Sequence, residues 1–381
     1  MSLSLRLTGA QVLTSEGLAD TDLNLAHGRI TSDQQRREVD LGGFLVLPGI
    51  VDAHGDGFER HLAPRRGAMT DLGAGLIAAE AELAANGITT AVLAQFCSWE
   101  GGMRGPEFAE RVFSALDEVR PRLDTDLLAQ LRFETAMLDD YAAMQAMVAR
   151  FSIPYVAFND HLPHAALAAG KKPPRLTGQA LRAGRSPERH LEIMQSLHVR
   201  TGETASALPR LAEALAARGV HMASHDDTTA DERRGWHALG VNIAEFPETR
   251  EAAEAAHRMG DGVILGAPNV MRGGSHNGNV SARDMIAAGL CNALASDYHY
   301  PSPRRAAWLL AGEGLRDLGA AWALVSSGPA RLLGLDDRGT LVPGKRADLV
   351  VIDRQSGDIG ATLAGGRITH LRGKAAVRFL R

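Results

Sequence analysis

Histidine and carboxylate side chains stand at the ends of several short apolar runs of the sequence. Six of them are His54, Asp56, Glu134, His161, His225 and Asp297. Because residues two apart in an extended chain face the same side, His54 and Asp56 can bind one ion together. A single strand-end histidine is usually structural, but six nitrogen and oxygen donors in such positions favour a divalent metal site. The donor types predict zinc, with manganese or iron as alternatives and one or two ions.

Asp297 is the residue that we expect to move a proton. A divalent ion lowers the pKa of bound water, so attack by a metal-bound hydroxide becomes possible near neutral pH. A carboxylate that faces this water can orient it and accept its proton, which makes Asp297 the predicted general base. Direct metal ligation by Asp297 is the alternative. Glu134, as a bridging carboxylate, can hold a second ion.

The middle of the chain contains the elements that would bring these residues together. Short apolar strands alternate there with helical segments rich in Ala, Leu, Glu and Arg. The predicted strands are residues 50–54, 89–94, 131–135, 155–159, 220–224, 241–246, 263–267 and 292–296. Eight such units predict an α/β fold, a (β/α)8 TIM barrel whose strand ends converge on one catalytic mouth. An open doubly wound sheet fits less well, because no phosphate-binding turn follows the first strand.

The two ends of the chain share a hairpin character. The first 45 residues or so alternate apolar and polar side chains, and the tetrapeptide Gly-Arg-Ile-Thr occurs at 28–31 and again at 366–369. One small β unit built from both termini explains this repetition. The predicted domains are therefore the N-terminal half of the β unit at 1–48, the metal-dependent barrel at 49–339 and the C-terminal half of the β unit at 340–381.

Two glycine-containing segments resemble nucleotide-binding motifs but are better explained as local structure. Residues 339–345 have the phosphate-loop spacing, yet Arg346 replaces the required Ser or Thr and Pro343 removes a backbone N–H. Residues 73–78 follow no buried strand and indicate a helix start. Helical spacing also predicts helices over 76–86, 108–119 and 248–259, with Gly87 and Gly260 as stops.

Composition excludes several classes of protein. The chain has 381 residues, of which 45% are hydrophobic and 23% charged, typical of a folded globular protein. A net charge of -4 argues against a nucleic-acid partner bound through a broad basic surface. Two cysteines, no secretory signal pattern and no apolar run of ~20 residues predict a cytoplasmic protein without a membrane segment.

Several sequence runs resemble the amidohydrolase superfamily over essentially the whole chain. They are Leu-Pro-Gly-Ile-Val-Asp-Ala-His at 47–54, the strand-end donors through Asp297, and Gly-Lys-Arg-Ala-Asp-Leu-Val at 344–350. The resemblance implies a distorted (β/α)8 barrel with a small β-sandwich made from both termini. Other runs, including residues 54–61, 159–161, 223–228, 266–270, 273–279 and 296–298, resemble the phosphonate-metabolism branch of that superfamily. That branch implies a phosphorylated ribose phosphonate as substrate and diphosphate as product.

The sequence departs at three points from the pattern that the resemblance leads us to expect. Asp56 replaces the second histidine of the usual His-x-His pair, so it either binds the metal or supports His54. Family histidine ligands normally follow the fifth and sixth strands, whereas our count places His161 and His225 after the fourth and fifth. This difference indicates that one strand has been missed or misassigned. The segment 299–305 is also richer in His and Arg than the branch leads us to expect.

A polyphosphate substrate requires cationic and N–H donors near the metal. We expect Arg60 and His61, next to the first metal motif, and His276 and Asn277, in a glycine-rich loop, to bind it. The predicted partner is thus a small phosphorylated molecule, and a homo-oligomer is compatible with the sequence.

Two alternatives remain. One is an amidohydrolase that cleaves a C–N bond, such as a deaminase, deacetylase or cyclic-amide hydrolase. The other is a non-catalytic scaffold, which the intact donor set disfavours.

Overall fold

The computed structural model describes residues 2–65, 68–69, 71–273 and 280–381. Within these residues the strands are β1 (Leu5–Thr8), β2 (Gln11–Thr14), β3 (Gly17–Asp20), β4 (Leu23–Ala26), β5 (Arg29–Thr31), β6 (Glu38–Asp40), β7 (Phe44–Pro48), β8 (Ile50–Gly55), β9 (Ile88–Cys97), β10 (Asp126–Glu134), β11 (Tyr155–Asn159), β12 (His221–His225), β13 (Ile243–Glu245), β14 (Gly262–Gly266), β15 (Ala293–Ala295), β16 (Leu349–Asp353), β17 (Ile359–Ala364) and β18 (Arg367–Leu371).

A parallel sheet of eight strands confirms the predicted barrel. Its strand order is β15-β14-β13-β12-β11-β10-β9-β8, and a parallel bridge between Gly55 and Asp297 joins the two ends of this order. The strands β8, β9, β11, β13, β14 and β15 are buried at every position, which explains why most of their residues are apolar. All eight observed strands overlap the eight predicted ones. The inference that a strand had been missed or misassigned is therefore wrong, and His161 and His225 do follow the fourth and fifth strands.

Helices connect the barrel strands. They are α1 (Glu59–Leu62), α2 (Leu72–Ala85), α3 (Pro106–Val119), α4 (Tyr141–Arg150), α5 (His164–Ala168), α6 (Leu176–Arg182), α7 (Pro187–His198), α8 (Thr201–Ala216), α9 (Ala230–Ala238), α10 (Arg250–Met259), α11 (Ala267–Arg272), α12 (Ala282–Ala287), α13 (Ser302–Gly312), α14 (Leu318–Ala323), α15 (Ser327–Leu332) and α16 (Gly373–Phe379). Asp71 caps α2 by accepting a hydrogen bond from the N–H of Ala74 (2.7 Å), so the glycines at 73 and 75 do begin a helix. Gly260 ends α10 in the left-handed conformation (φ 80°), as its position predicts.

The terminal strands form two further sheets. One has the order β5-β4-β1-β6, and the other has the order β18-β17-β16-β7-β2-β3. In the second sheet β7, from the N-terminal part of the chain, pairs antiparallel with β16 from the C-terminal part. Apolar side chains from both parts, such as Leu5, Leu25, Val46, Val351 and Leu363, share one core. The β-sandwich made from both termini is thus confirmed.

Contacts divide the chain into two compact units. The first comprises residues 1–93, 119–128 and 262–381, and it contains the terminal sheets with β8, β14 and β15. The second comprises residues 94–118 and 129–261, and it contains β11, β12 and β13. The domain boundaries predicted at 48 and 339 stay predictions.

No helix among the described residues combines the length and the apolar character that crossing a membrane requires.

Candidate metal centre

The first unit brings three predicted site residues to one edge. His54 lies on β8 with its side chain fully buried, and Asp56 follows the end of that strand. The N–H of Asp297 donates to the carbonyl oxygen of His54 (3.0 Å), and the N–H of Asp56 donates to the carbonyl oxygen of Asp297 (2.9 Å). These two backbone bonds fix the ends of the first and last barrel strands side by side.

Asp52 holds the same two strand ends together from inside the fold. Its carboxylate accepts hydrogen bonds from the backbone N–H (2.8 Å) and the hydroxyl (2.5 Å) of Ser296. Burial raises the pKa of Asp52 to about 6, against the lowering effect of these hydrogen bonds. A Cβ atom at residue 55 would lie 2.9 Å from both Asp52 Oδ2 and Ser296 Oγ, so the glycine of His-Gly-Asp is required for this contact.

In the second unit, Glu134 and His161 are bonded to each other. Glu134 ends β10 and is fully buried, while His161 follows β11. The backbone N–H of His161 donates to Glu134 Oε2 (3.0 Å), and its ring Nδ1 contacts Oε1. Burial alone would raise the pKa of Glu134, but its hydrogen bonds with His161 lower it below the usual value. The carboxylate is therefore charged at neutral pH.

His225 ends β12 next to this pair, with ring centroids of His161 and His225 6.3 Å apart. Its Nδ1 lies 3.0 Å from Asp226 Oδ2, and its Nε2 accepts from Arg132 (3.0 Å). Burial lowers the pKa of His225, and the charge of Arg132 lowers it further. The imidazole is neutral at pH 7, which is the form that binds metals.

The rest of the Ser-His-Asp-Asp run supports His225 rather than joining the chemistry. The hydroxyl of Ser224 donates to Asp227 Oδ2 (2.7 Å), and Arg233 donates to both Ser224 Oγ (2.7 Å) and Asp227 Oδ2 (3.2 Å). All three side chains are buried. This network ties the end of β12 to α9 and limits the movement of His225.

Glu245, at the end of β13, is a buried carboxylate that the sequence-based prediction does not include. Its Oε1 accepts hydrogen bonds from the hydroxyl of Tyr155 (2.5 Å) and from the side-chain amide of Gln130 (2.6 Å). All three residues are buried. Burial, and then the nearby Glu245, raise the pKa of Tyr155 well above its usual value, so its hydroxyl remains a donor.

Backbone strain marks three of these strand ends. Asp226, Phe246 and Asp297 have φ values of 63°, 53° and 56°, in the left-handed region that residues other than glycine rarely adopt. They lie just beyond the ends of the fifth, sixth and eighth barrel strands. Such strain concentrates at functional sites, where the surrounding structure compensates for it.

His54 of the first unit, and His225 and Glu245 of the second unit, have side chains of the types that suit a divalent ion. Each can offer one ligand atom. Imidazole nitrogens and carboxylate oxygens are the donors that zinc and related ions prefer.

The remaining predicted substrate ligands are placed as follows. Arg60 and His61, on α1, both contact Glu82 of α2, at 2.5 Å and 2.6 Å. Arg60 also donates to the carbonyl oxygen of Tyr298 (3.1 Å). Their role in substrate binding stays a prediction, since these contacts give both a structural partner. His276 and Asn277 lie outside the described residues.

Sequence reasoning missed Glu245 and Arg132. Glu245 is the penultimate residue of the predicted strand 241–246, so the rule that selected the other strand-end residues applied to it as well. Arg132 precedes Glu134 by two positions on β10, and strand alternation places both on one side of the sheet. The residues that contact these two side chains come from other strands, and the sequence does not show which strands lie next to each other.

The fold and the donor set are those of a metal-dependent hydrolase, and the chain belongs to the amidohydrolase family, whose sequence profile matches residues 139–375. The alpha-D-ribose 1-methylphosphonate 5-triphosphate diphosphatase of Escherichia coli (strain K12) is 34% identical over 330 residues, 84% of this chain and 85% of that protein. The predicted resemblance is thus confirmed.

Solved structures share the fold. The β-aspartyl dipeptidase of Fervidobacterium islandicum AW-1 is 13% identical with a TM-score of 0.64, over 98% of both chains. The N-acetylglucosamine-6-phosphate deacetylase of Pasteurella multocida is 12% identical with a TM-score of 0.63, over 96% of this chain and 99% of that one. At these identities the comparison concerns the fold alone.

Proposed function

We propose that this chain hydrolyses α-D-ribose 1-methylphosphonate 5-triphosphate to the 5-phosphate and diphosphate. The observation that carries the proposal is the 34% identity, over 84% of the chain, to the Escherichia coli enzyme named for that reaction. The buried donors at the strand ends support it, since they suit a hydrolytic metal. The proposed ligands are His54, His225 and Glu245. In the second unit, Glu134 and His161 contact each other next to His225.

The reaction consumes one water. The anhydride bond between the α- and β-phosphoryl groups breaks, the water oxygen joins one phosphorus, and diphosphate leaves. A divalent ion, when bound, polarises the phosphoryl group and makes water more acidic. Asp297 accepts the proton that the water loses, and the backbone bonds between Asp297, His54 and Asp56 hold its segment in place.

The direct test follows ³¹P NMR signals of zinc-loaded protein with this ribose triphosphate. We expect diphosphate and the 5-phosphate in equal amounts. The same protein should also be given a panel of amides while ammonia, free amino groups and released acids are followed. Turnover of an amide with no release of diphosphate would overturn the proposal in favour of C–N hydrolysis.

Replacing Asp297 tests its role as the base. Asp297→Asn keeps the size of the side chain but cannot accept the proton, so kcat should fall by roughly 10²- to 10⁴-fold. Bound zinc, measured by elemental analysis, should change little. The matched control is Asp284→Asn, which alters an exposed carboxylate on α12 and should leave kcat unchanged. Full loss of zinc from Asp297→Asn would show that Asp297 is a ligand instead.

A further inference from the structure

Arg132 places a buried guanidinium beside a candidate metal ligand. The side chain is 5% exposed, and one terminal nitrogen, Nη2, donates to His225 Nε2 (3.0 Å) and lies 3.3 Å from Asn159 Oδ1. Because a guanidinium has only N–H donors, Nε2 is the acceptor in the first contact. Arg132 therefore uses the lone pair through which His225 would bind a cation.

A phenylalanine ring holds this guanidinium in place. The central carbon of Arg132 lies 3.9 Å from the centroid of the Phe96 ring, and that of Arg104 lies 4.1 Å from the same centroid. Arg104 also pairs with Glu100 (3.0 Å). Stacking on a ring uses the face of a guanidinium and leaves its N–H edge directed at polar groups. For Arg132 that edge meets His225 and Asn159.

The lone pair of Nε2 can accept an N–H or bind a cation, but not both. A divalent ion on His225 would release the N–H of Arg132 and place two positive charges next to each other. An anionic oxygen that contacts both removes the repulsion and accepts the released N–H. Arginine suits phosphoryl oxygens in particular, because its planar fork offers parallel donors.

We infer that Arg132 binds a phosphoryl oxygen of the substrate next to His225, and that metal binding makes its N–H available for this contact. This inference rests on the proposed function, since it names the residue that recognises the polyphosphate. Arg132 is not one of the cationic residues that the sequence predicts to bind substrate. Arg60, which is one of them, contacts Glu82. The ligand class is a di- or triphosphate.

The test measures diphosphate binding to zinc-loaded protein by titration calorimetry. Arg132→Met keeps much of the side-chain volume but removes the charge and the donors, so diphosphate should bind about 10- to 100-fold more weakly. Zinc affinity, measured by competition with a chelator, should stay the same or rise, because a competitor for Nε2 is gone. Arg104→Met is the matched control: it removes the other arginine on Phe96 and should bind diphosphate like the wild type.

Three outcomes would overturn the inference. One is wild-type diphosphate affinity in Arg132→Met. Another is loss of zinc from that variant, which would make Arg132 a support for His225. The third is weaker binding of N-acetylaspartate, a carboxylate, by Arg132→Met while the affinity for diphosphate does not change. If Arg132→Met fails to fold, Arg132→Lys retains the charge without the fork and should bind diphosphate with intermediate affinity; wild-type affinity there would again contradict the inference.

The inference and the proposed function can fail separately. Diphosphate binding that depends on Arg132, in a protein that does not hydrolyse the ribose triphosphate, would overturn the function and support the binding site. Hydrolysis of the ribose triphosphate with a KM that Arg132→Met leaves unchanged would support the proposed function and overturn the role of Arg132 in binding.

Discussion

Two buried donors fix one oxygen of the Glu245 carboxylate, and this arrangement has a measurable consequence. Tyr155 and Gln130 both donate to Oε1. Tyr155→Phe removes one of these donors without adding volume, so zinc affinity should fall about 10- to 100-fold, the usual effect of losing a partner of a metal ligand. The measurement is competition with a chelator, supported by the visible spectrum of the cobalt-substituted protein.

The chain offers a matched control for this substitution. Tyr141 is also a buried tyrosine, but its hydroxyl donates to the carbonyl oxygen of Thr135 (2.7 Å). Tyr141→Phe should cost stability without changing zinc affinity. Equal zinc affinity in Tyr155→Phe and the wild type would mean that Glu245 does not bind the metal.

The residue types at the ends of the predicted strands are the sequence feature that best predicts the candidate metal centre. Glu134, His161 and His225 stand out because each follows an apolar run, and the structure places them in contact or nearly so. Glu245 and Arg132 could not be identified as site residues in the same way, because the residues that contact them come from other strands. Tyr155 and Gln130, for example, are 90 and 115 residues away from Glu245.

At the scale of elements, the repeated Gly-Arg-Ile-Thr tetrapeptide marks two hairpins that meet. The turn before β5 contains Gly28, and the turn before β18 contains Gly365 and Gly366. A Cβ atom on Gly28 would lie 3.0 Å from the carbonyl oxygen of Gly365, and one on Gly366 would lie 3.1 Å from the Cα of Gly28. Close approach of the two backbones therefore requires glycine in both copies.

Gly28→Ala should destabilise the terminal sheets. Gly28 has φ 76°, which alanine adopts at a cost of about 1–2 kcal/mol, and the new methyl group also presses on Gly365. The control is Gly344→Ala: its φ is 90°, also left-handed, but no atom lies within 4 Å of the added carbon. Urea unfolding should show a lower free energy of unfolding for Gly28→Ala than for Gly344→Ala. Equal free energies of unfolding for the two variants would mean that the two turns can move apart without loss of stability.

The barrel strands could be predicted because a strand buried on both faces is apolar at nearly every position. The helices α5, α6 and α7, which follow β11, could not be predicted, and the few residues that they bury explain why. α5 buries no residue, α6 buries Leu176 and Ala180, and α7 buries His190 and Met194. Such narrow contacts leave little hydrophobic periodicity in the sequence, whereas α10 buries four alanines along one face and begins within two residues of its predicted start.

At the scale of the whole molecule, binding of a metal should appear as stability. An ion that binds the folded chain and not the unfolded one raises the free energy of unfolding by RT ln(1 + [L]/Kd), about 2.7 kcal/mol when free zinc is 100 times Kd. We expect unfolding by urea to occur at higher denaturant concentration with zinc than with a chelator. The difference between the two denaturant concentrations measures how much zinc binding adds to the free energy of unfolding.

Glu245→Gln distinguishes this effect from non-specific zinc binding. The substitution keeps the shape of the side chain and removes the negative charge that Tyr155 and Gln130 hold in place, so most of the zinc-dependent stabilisation should disappear. His257→Gln is the control, because it removes an exposed imidazole on α10 that is not in the ligand set. A full zinc effect in Glu245→Gln would place the stabilising ion elsewhere, since a site made of two neutral imidazoles binds zinc far more weakly than one that also includes a carboxylate.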